Sequence, residues 1–158
     1  LGATGTDLRL DLILLVFGVA SVVGIWGTGL LVDRQLRALT LISLAAFAVA
    51  AILLAIPHHS AVLVLIGVAA WGLTFGGAPT LLQTALADSA GDHADVAQSI
   101  LVTVFNLAVA GGGLIGGLVT DQAGPGWLPW ILLPLVMTAL ATVWQAKAHG
   151  FRAGRRAA

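Results

Sequence analysis

The sequence predicts an all-α integral membrane protein with five transmembrane helices, and three observations lead there. Five stretches, 12–32, 38–56, 60–87, 96–120 and 122–146, contain no Asp, Glu, Lys or Arg, and the seven basic and seven acidic residues all lie outside them. These stretches are 19 to 28 residues long. At about 1.5 Å of rise per residue they make roughly 29–42 Å of helix, against a hydrocarbon core about 30 Å thick. Composition agrees, with 59% apolar residues, 9% charged residues and a mean hydropathy of +1.03, where an average soluble domain carries about 25% charge. A helix apolar on all sides otherwise belongs in the core of a large soluble protein, and five of them in 158 residues leave nothing to coat them. Lipid is the coat.

Taken in order, the first span covers 12–32. It lacks the basic leader of a signal peptide and is about twice the length of a typical apolar signal core, so it reads as a mature span. A tight turn of Asp33, Arg34, Gln35, Leu36 and Arg37 leads to the second span, 38–56, and so short a loop predicts an antiparallel pair. Pro57, His58, His59 and Ser60 make the next turn. The third span, 61–87, carries Gly76, Gly77 and Pro79 and is expected to kink or tilt there. The polar loop 88–95 precedes the fourth span, 96–120, which holds Gly111, Gly112, Gly113, Gly116 and Gly117. Residues 121–126 then turn into the fifth span, 127–146, where Trp127 and Trp130 sit at the interfacial depth that indole rings prefer. The chain divides accordingly into an outer-loop remnant at 1–11, a five-helix part at 12–146 and a basic cytoplasmic tail at 147–158. A first residue of Leu1 rather than Met suggests that an N-terminal piece is missing.

Basic residues resist translocation and collect on the cytoplasmic side. Arg34, Arg37, Lys147, Arg152, Arg155 and Arg156 fall on one side of the predicted bundle and Arg9 alone on the other. The expected orientation in the cell's inner (plasma) membrane is therefore multi-pass, N-terminus outside and C-terminus cytoplasmic, with the tail placed to touch anionic lipid.

Several chemistries find no residues. Cysteine is absent, which removes disulfides and thiolate metal sites, and a formal net charge of zero offers nothing to nucleic acid. His58 and His59 are adjacent, do not share a helical face and have no third ligand nearby, so they read as a solvated turn. No span contains His, and no Ser sits in a nucleophile-elbow pattern. No enzyme activity, metal or cofactor is expected.

Helices in lipid associate through small residues that let backbones approach. The 20 glycines concentrate in spans one, three and four, which are expected to be the crowded ones. In span one Ala20, Ser21, Gly24, Gly27, Thr28 and Leu31 share a side, and in span four Thr103, Asn106, Ala110, Gly113 and Gly117 do. Span two has no Gly and is expected to face lipid. Asn106 is the most polar side chain inside a span, and its amide needs a partner, either another helix or a substrate in a wet cavity. Gln83, near the cytoplasmic end of span three, has the same two readings.

The turn after span one is the sharpest motif: Gly29, then Asp33, Arg34 and Arg37 at fixed spacing. It resembles the Gly-x-x-x-Asp-Arg-x-Gly-Arg signature of the major facilitator superfamily, which occurs between the second and third helices and, degraded, between the eighth and ninth. Leu36 stands where the signature has its second Gly, as suits the degraded copy. Trp71, Gly72 and Leu73, followed by Phe75 to Pro79 and Gln83, resemble the tenth helix of the arabinose- and sugar-efflux branch of drug/proton antiporters. Phe105, Asn106 and Leu107 resemble its eleventh.

The resemblance implies that the five spans are helices 8–12 of a twelve-helix fold and that the chain is the C-terminal part of a secondary transporter. Its expected work is proton-coupled efflux of small organic molecules, drugs or sugars by alternating access. Its partners would be an N-terminal part of about seven helices, the lipid bilayer and a small-molecule substrate. Gly29, Asp33, Arg34 and Arg37 would form the cytoplasmic gating motif, with Asp33 beside a helix N-terminus of the facing half and the arginines latching that side. Trp71, Thr74, Gln83, Thr103 and Asn106 would line the substrate cavity. The contrasting expectation is an accessory or assembly membrane subunit with no transport path of its own.

Overall fold

A computed structural model describes residues 9–56, 60–147 and 150–151. His58, His59, most of the N-terminal remnant and most of the tail lie outside the described residues. The described chain is helical, with no strand among its elements: α1 (Leu10–Ala55), α2 (Ala61–Ala90), a 3-10 turn (Gly91–His93), α3 (Ala94–Ala123), a second 3-10 turn (Pro125–Trp127) and α4 (Leu128–Gln145).

Three helical stretches, Leu10–Ala55, Ala61–Ala123 and Pro125–Gln145, are long and apolar enough to cross a membrane. The first is 46 residues, about 69 Å at helical rise and more than twice a hydrocarbon core. It is not one rod. Gln35 leaves the helical region at φ −145°, ψ 41°, inside the polar run that separates two apolar stretches.

The contacts give the direction of each arm. Along the first, Phe17 meets Gly72, Ser21 meets Gly76 and Thr28 meets Gly77, so it runs parallel to α2. Along the second, Leu36 clusters with Leu81 and Ala85 while Leu54 packs on Gly67, so it runs antiparallel to α2. The chain therefore reverses at the turn, as the short loop predicts.

Glycines set the spacing between the first arm and α2. A Cβ on Gly72 would lie 2.5 Å from the Phe17 carbonyl oxygen, and Cβ atoms on Gly24 and Gly76 would strike the carbonyls of Leu73 and Ser21. Where lipid is as apolar as the side chains, this close backbone contact supplies the dispersion attraction that holds helices together. At the opposite end of α2, Ser60 caps the helix by accepting the Leu63 N–H at 3.4 Å.

Two expectations change. Span two is packed on one side, where Thr40, Ala50 and Ala51 are buried, while Ile42, Val49 and Ile52 stay exposed on the others; alanine permits close approach almost as glycine does. The fourth span is not crowded. No residue of α3 is buried, and a Cβ on Gly111, Gly112, Gly113 or Gly117 would meet nothing within 4 Å. The helix α2 runs from Ala61 to Ala90 with Pro79 inside it.

One end of the assembly is tied together. Val32, Leu36, Leu81 and Ala85 form a buried cluster against which Leu39 and Phe151 pack. The turn after the first arm, the C-terminal half of α2 and the segment after α4 thus share one end.

Candidate functional site

The turn is built by helix termini. The last carbonyls of a helix have no intrahelical donor, and α4 has no basic residue in its own last turn. Arg37 supplies the donors from 106 residues away in sequence. Its Nη1 donates to the Val143 carbonyl at 2.8 Å and to Phe151 at 3.2 Å, and its Nη2 donates to Trp144 at 2.9 Å. A planar guanidinium spans several carbonyls in one geometry, which an ammonium does not. Lys147 adds a cation–π contact 5.5 Å from the Trp144 ring centroid.

Of the four motif residues, Arg37 is half-buried in this contact, whereas Gly29, Asp33 and Arg34 are exposed. A Cβ on Gly29 would meet nothing within 4 Å. Within this chain Arg37 therefore ties the turn to α4.

The five cavity residues are not brought into one chamber. Thr74 is buried, its hydroxyl donating to the carbonyls of Ala70 and Trp71 at 3.0 and 2.9 Å. It lines a cavity of about 280 Å³ together with Ser43, Phe47, Phe75 and Val136, close to the roughly 300 Å³ at which small-molecule sites begin. Gln83 lines a second, of about 110 Å³, between α2 and α3 with Pro79, Leu82, Val102 and Phe105. Thr103 and Asn106 lie exposed on α3, where the hydroxyl donates to the Ser99 carbonyl at 2.9 Å and the Asn106 amide to Val102 at 2.8 Å. One N–H of the Asn106 amide is thus satisfied on its own helix.

Trp71 has company that the sequence did not single out. Phe17, from the first arm, meets its ring edge-on at a centroid separation of 5.3 Å and 69° between planes, and meets Phe75 at 5.9 Å and 43°. Trp71 and Phe75 are one helical turn apart and share a face with Leu82. That much is readable from spacing; the arrival of Phe17, 54 residues earlier, is a tertiary event. Ser43, on the wall of the larger cavity, carried no sequence signal at all.

The profile of the Major Facilitator Superfamily matches residues 1–155. The purine ribonucleoside efflux pump NepI of Escherichia coli strain K12 is 36% identical over 125 residues, 78% of this chain and 31% of the pump. The pump of the same name from Shigella flexneri gives the same figures, and that from Shigella sonnei is 36% identical over 116 residues, 73% of this chain and 29% of the pump. The chain spans about a third of the length of these relatives. No solved structure matches it.

Proposed function

The chain belongs to the major facilitator superfamily, and from that premise we propose that it is the C-terminal part of a secondary transporter exporting small organic molecules. In this reading its five spans are helices 8–12, the two arms of α1 being the eighth and ninth. It lies in the inner membrane with its N-terminus outside, acts as a carrier rather than an enzyme, and works with an N-terminal part of about seven helices. Export is driven by proton exchange. The substrates are drugs, sugars or, following the relatives' name, purine ribonucleosides.

The observation that carries the reading is the asymmetry of α2. One side is closed by glycines against the first arm, while Trp71, Phe75, Leu82 and Gln83 remain exposed along other sides. A helix packed so tightly on one side and carrying rings and an amide on an open one suits the wall of a passage completed by a second half. Substrate in such transporters sits near the bilayer midplane between two halves that rock about it.

The test uses everted membrane vesicles containing the full-length transporter, energised by respiration. Labelled purine ribonucleoside, sugar and cationic drug are offered in turn. Accumulation of at least one, saturable and abolished by a protonophore, is expected; uptake no greater than in vesicles without the protein, for all three, overturns the proposal.

A further inference from the structure

Phe17, Trp71 and Phe75 form a cluster of rings that is assembled yet not closed. Trp71 remains 38% exposed and Phe75 48% exposed. An edge-on pair such as Phe17 and Trp71 leaves both faces of the edge-presenting ring uncovered by its partner. Phe75 belongs to the cluster and at the same time lines the cavity of about 280 Å³ between α1, α2 and α4.

The cluster is held from behind by backbone. The Phe17 carbonyl accepts the Ser21 hydroxyl at 2.8 Å and presses against Gly72, where a Cβ would lie 2.5 Å away. The main chain of Phe17 is thereby fixed against the helix that carries the other two rings, which reduces the ordering that a ligand must impose.

Trp71 also has an unused polar group. It is the eleventh residue of the 30-residue α2, about 15 Å in from the helix start. That depth is well inside a span and away from the interfacial belt where tryptophans gather with their N–H groups in water. Among the described residues its indole N–H has no acceptor; the Trp71 carbonyl is engaged by Thr74, the indole nitrogen by nothing. A donor left without a partner in hydrocarbon is costly, so bare acyl chains suit this position poorly. A ligand that offers a planar face and an acceptor together suits it well.

We propose that Phe17, Trp71 and Phe75 form a stacking subsite for a planar heteroaromatic ring that carries hydrogen-bond acceptors, such as a purine base, with the Trp71 N–H donating to it. The inference rests on the export reading and adds to it the chemical class of the substrate and the residues that select it. A bare sugar lacks the planar π face and gains little from the cluster.

The full-length protein is labelled with 5-fluorotryptophan, placed in nanodiscs and observed by fluorine NMR, the Trp71 signal being assigned by its loss in Trp71→Phe. Titration with inosine is expected to move that signal saturably, and ribose at the same concentrations to leave it in place. Stacking on an aromatic side chain is typically strong enough that its removal weakens binding by about five- to a hundredfold. Phe17→Leu and Phe75→Leu are therefore expected to raise the inosine midpoint at least fivefold, while Phe17→Tyr and Phe75→Tyr, which keep the ring, hold it within about twofold. A Trp71 signal that ignores inosine, responds equally to ribose, follows only the acyl composition of the disc, or keeps its midpoint in both leucine variants overturns the subsite. Flux in vesicles separates the two claims. Nucleoside flux with a silent Trp71 overturns the subsite alone, and a Trp71 response with no flux of nucleoside, sugar or drug overturns the export reading while supporting the subsite as a binding site.

Discussion

Replacing Gly76 by alanine tests whether close backbone contact between α1 and α2 holds this fold. Real Cβ atoms essentially never come within 3.0 Å of another heavy atom. At Gly72 the shortfall is already half an ångström, from 2.5 to 3.0 Å, and Gly24 and Gly76 are tighter still. The obstacles are the main-chain carbonyls of Phe17, Leu73 and Ser21, which cannot swing aside as a side-chain tip does. The helices must separate. A gap of about 0.5–1 Å forfeits a quarter to a half of each contact's dispersion energy, and overpacking of this kind costs about 1–3 kcal/mol. Gly76→Ala and Gly24→Ala are each expected to destabilise by about 2 kcal/mol. The double variant should cost clearly less than the sum, because one separation relieves both collisions. Gly111→Ala and Gly113→Ala on α3 are the matched controls, since a Cβ there meets nothing within 4 Å; they should be neutral or slightly stabilising through helix propensity. Unfolding of the purified protein in mixed micelles by titrated SDS, followed by far-UV circular dichroism, reads all five. Equal stability of Gly76→Ala and Gly111→Ala, within about 0.5 kcal/mol, would refute the reasoning.

Three further outcomes follow from the turn and its surroundings. Arg37→Ala removes three charge-assisted bonds to the carbonyls of Val143, Trp144 and Phe151; with water able to replace part of them at the membrane surface, the same SDS titration should register a loss of about 2 kcal/mol. Arg37→Lys should recover less than half of it, for want of the fork. Asp33→Asn in the full-length protein should slow transport while leaving equilibrium substrate affinity within a fewfold, because it changes the balance between conformations and removes no ligand contact; an unchanged rate would make the motif resemblance superficial. Cysteines introduced singly at Gln35 and Ser60 of this cysteine-free chain should react with an impermeant reagent from the cytoplasmic and outer sides respectively, and reaction of both from one side would sink the orientation.

Much of this molecule is written in local composition. The free energy of moving a side chain into hydrocarbon adds up residue by residue along the chain, so charge-free stretches announce membrane helices before any contact is known. The turn at Asp33 to Arg37 was legible for the same reason, as a short charged run between two apolar segments, and Gln35 is where the backbone leaves the helix. The spacing of Gly29, Asp33, Arg34 and Arg37 resembled a family signature, and the match over residues 1–155 bears out the family.

What the tertiary structure alone decided depends on pairs far apart in sequence. Small residues recur at helical spacing in both the first span and the fourth, yet in α1 Ser21, Gly24 and Thr28 meet α2, while in α3 a Cβ on Gly113 or Gly117 would meet nothing within 4 Å among the described residues; periodicity names a face without naming what lies opposite. Alanines hid the packing of the second arm, because they look like lipid-facing residues in composition and behave like spacers in contact. Phe17 reaches Trp71, and Arg37 reaches the end of α4, only because parallel and antiparallel arms set them side by side. Dispersion and hydrogen bonding act over a few ångströms, so they answer to the distance between residues in space, and that distance is fixed only when the helices have packed.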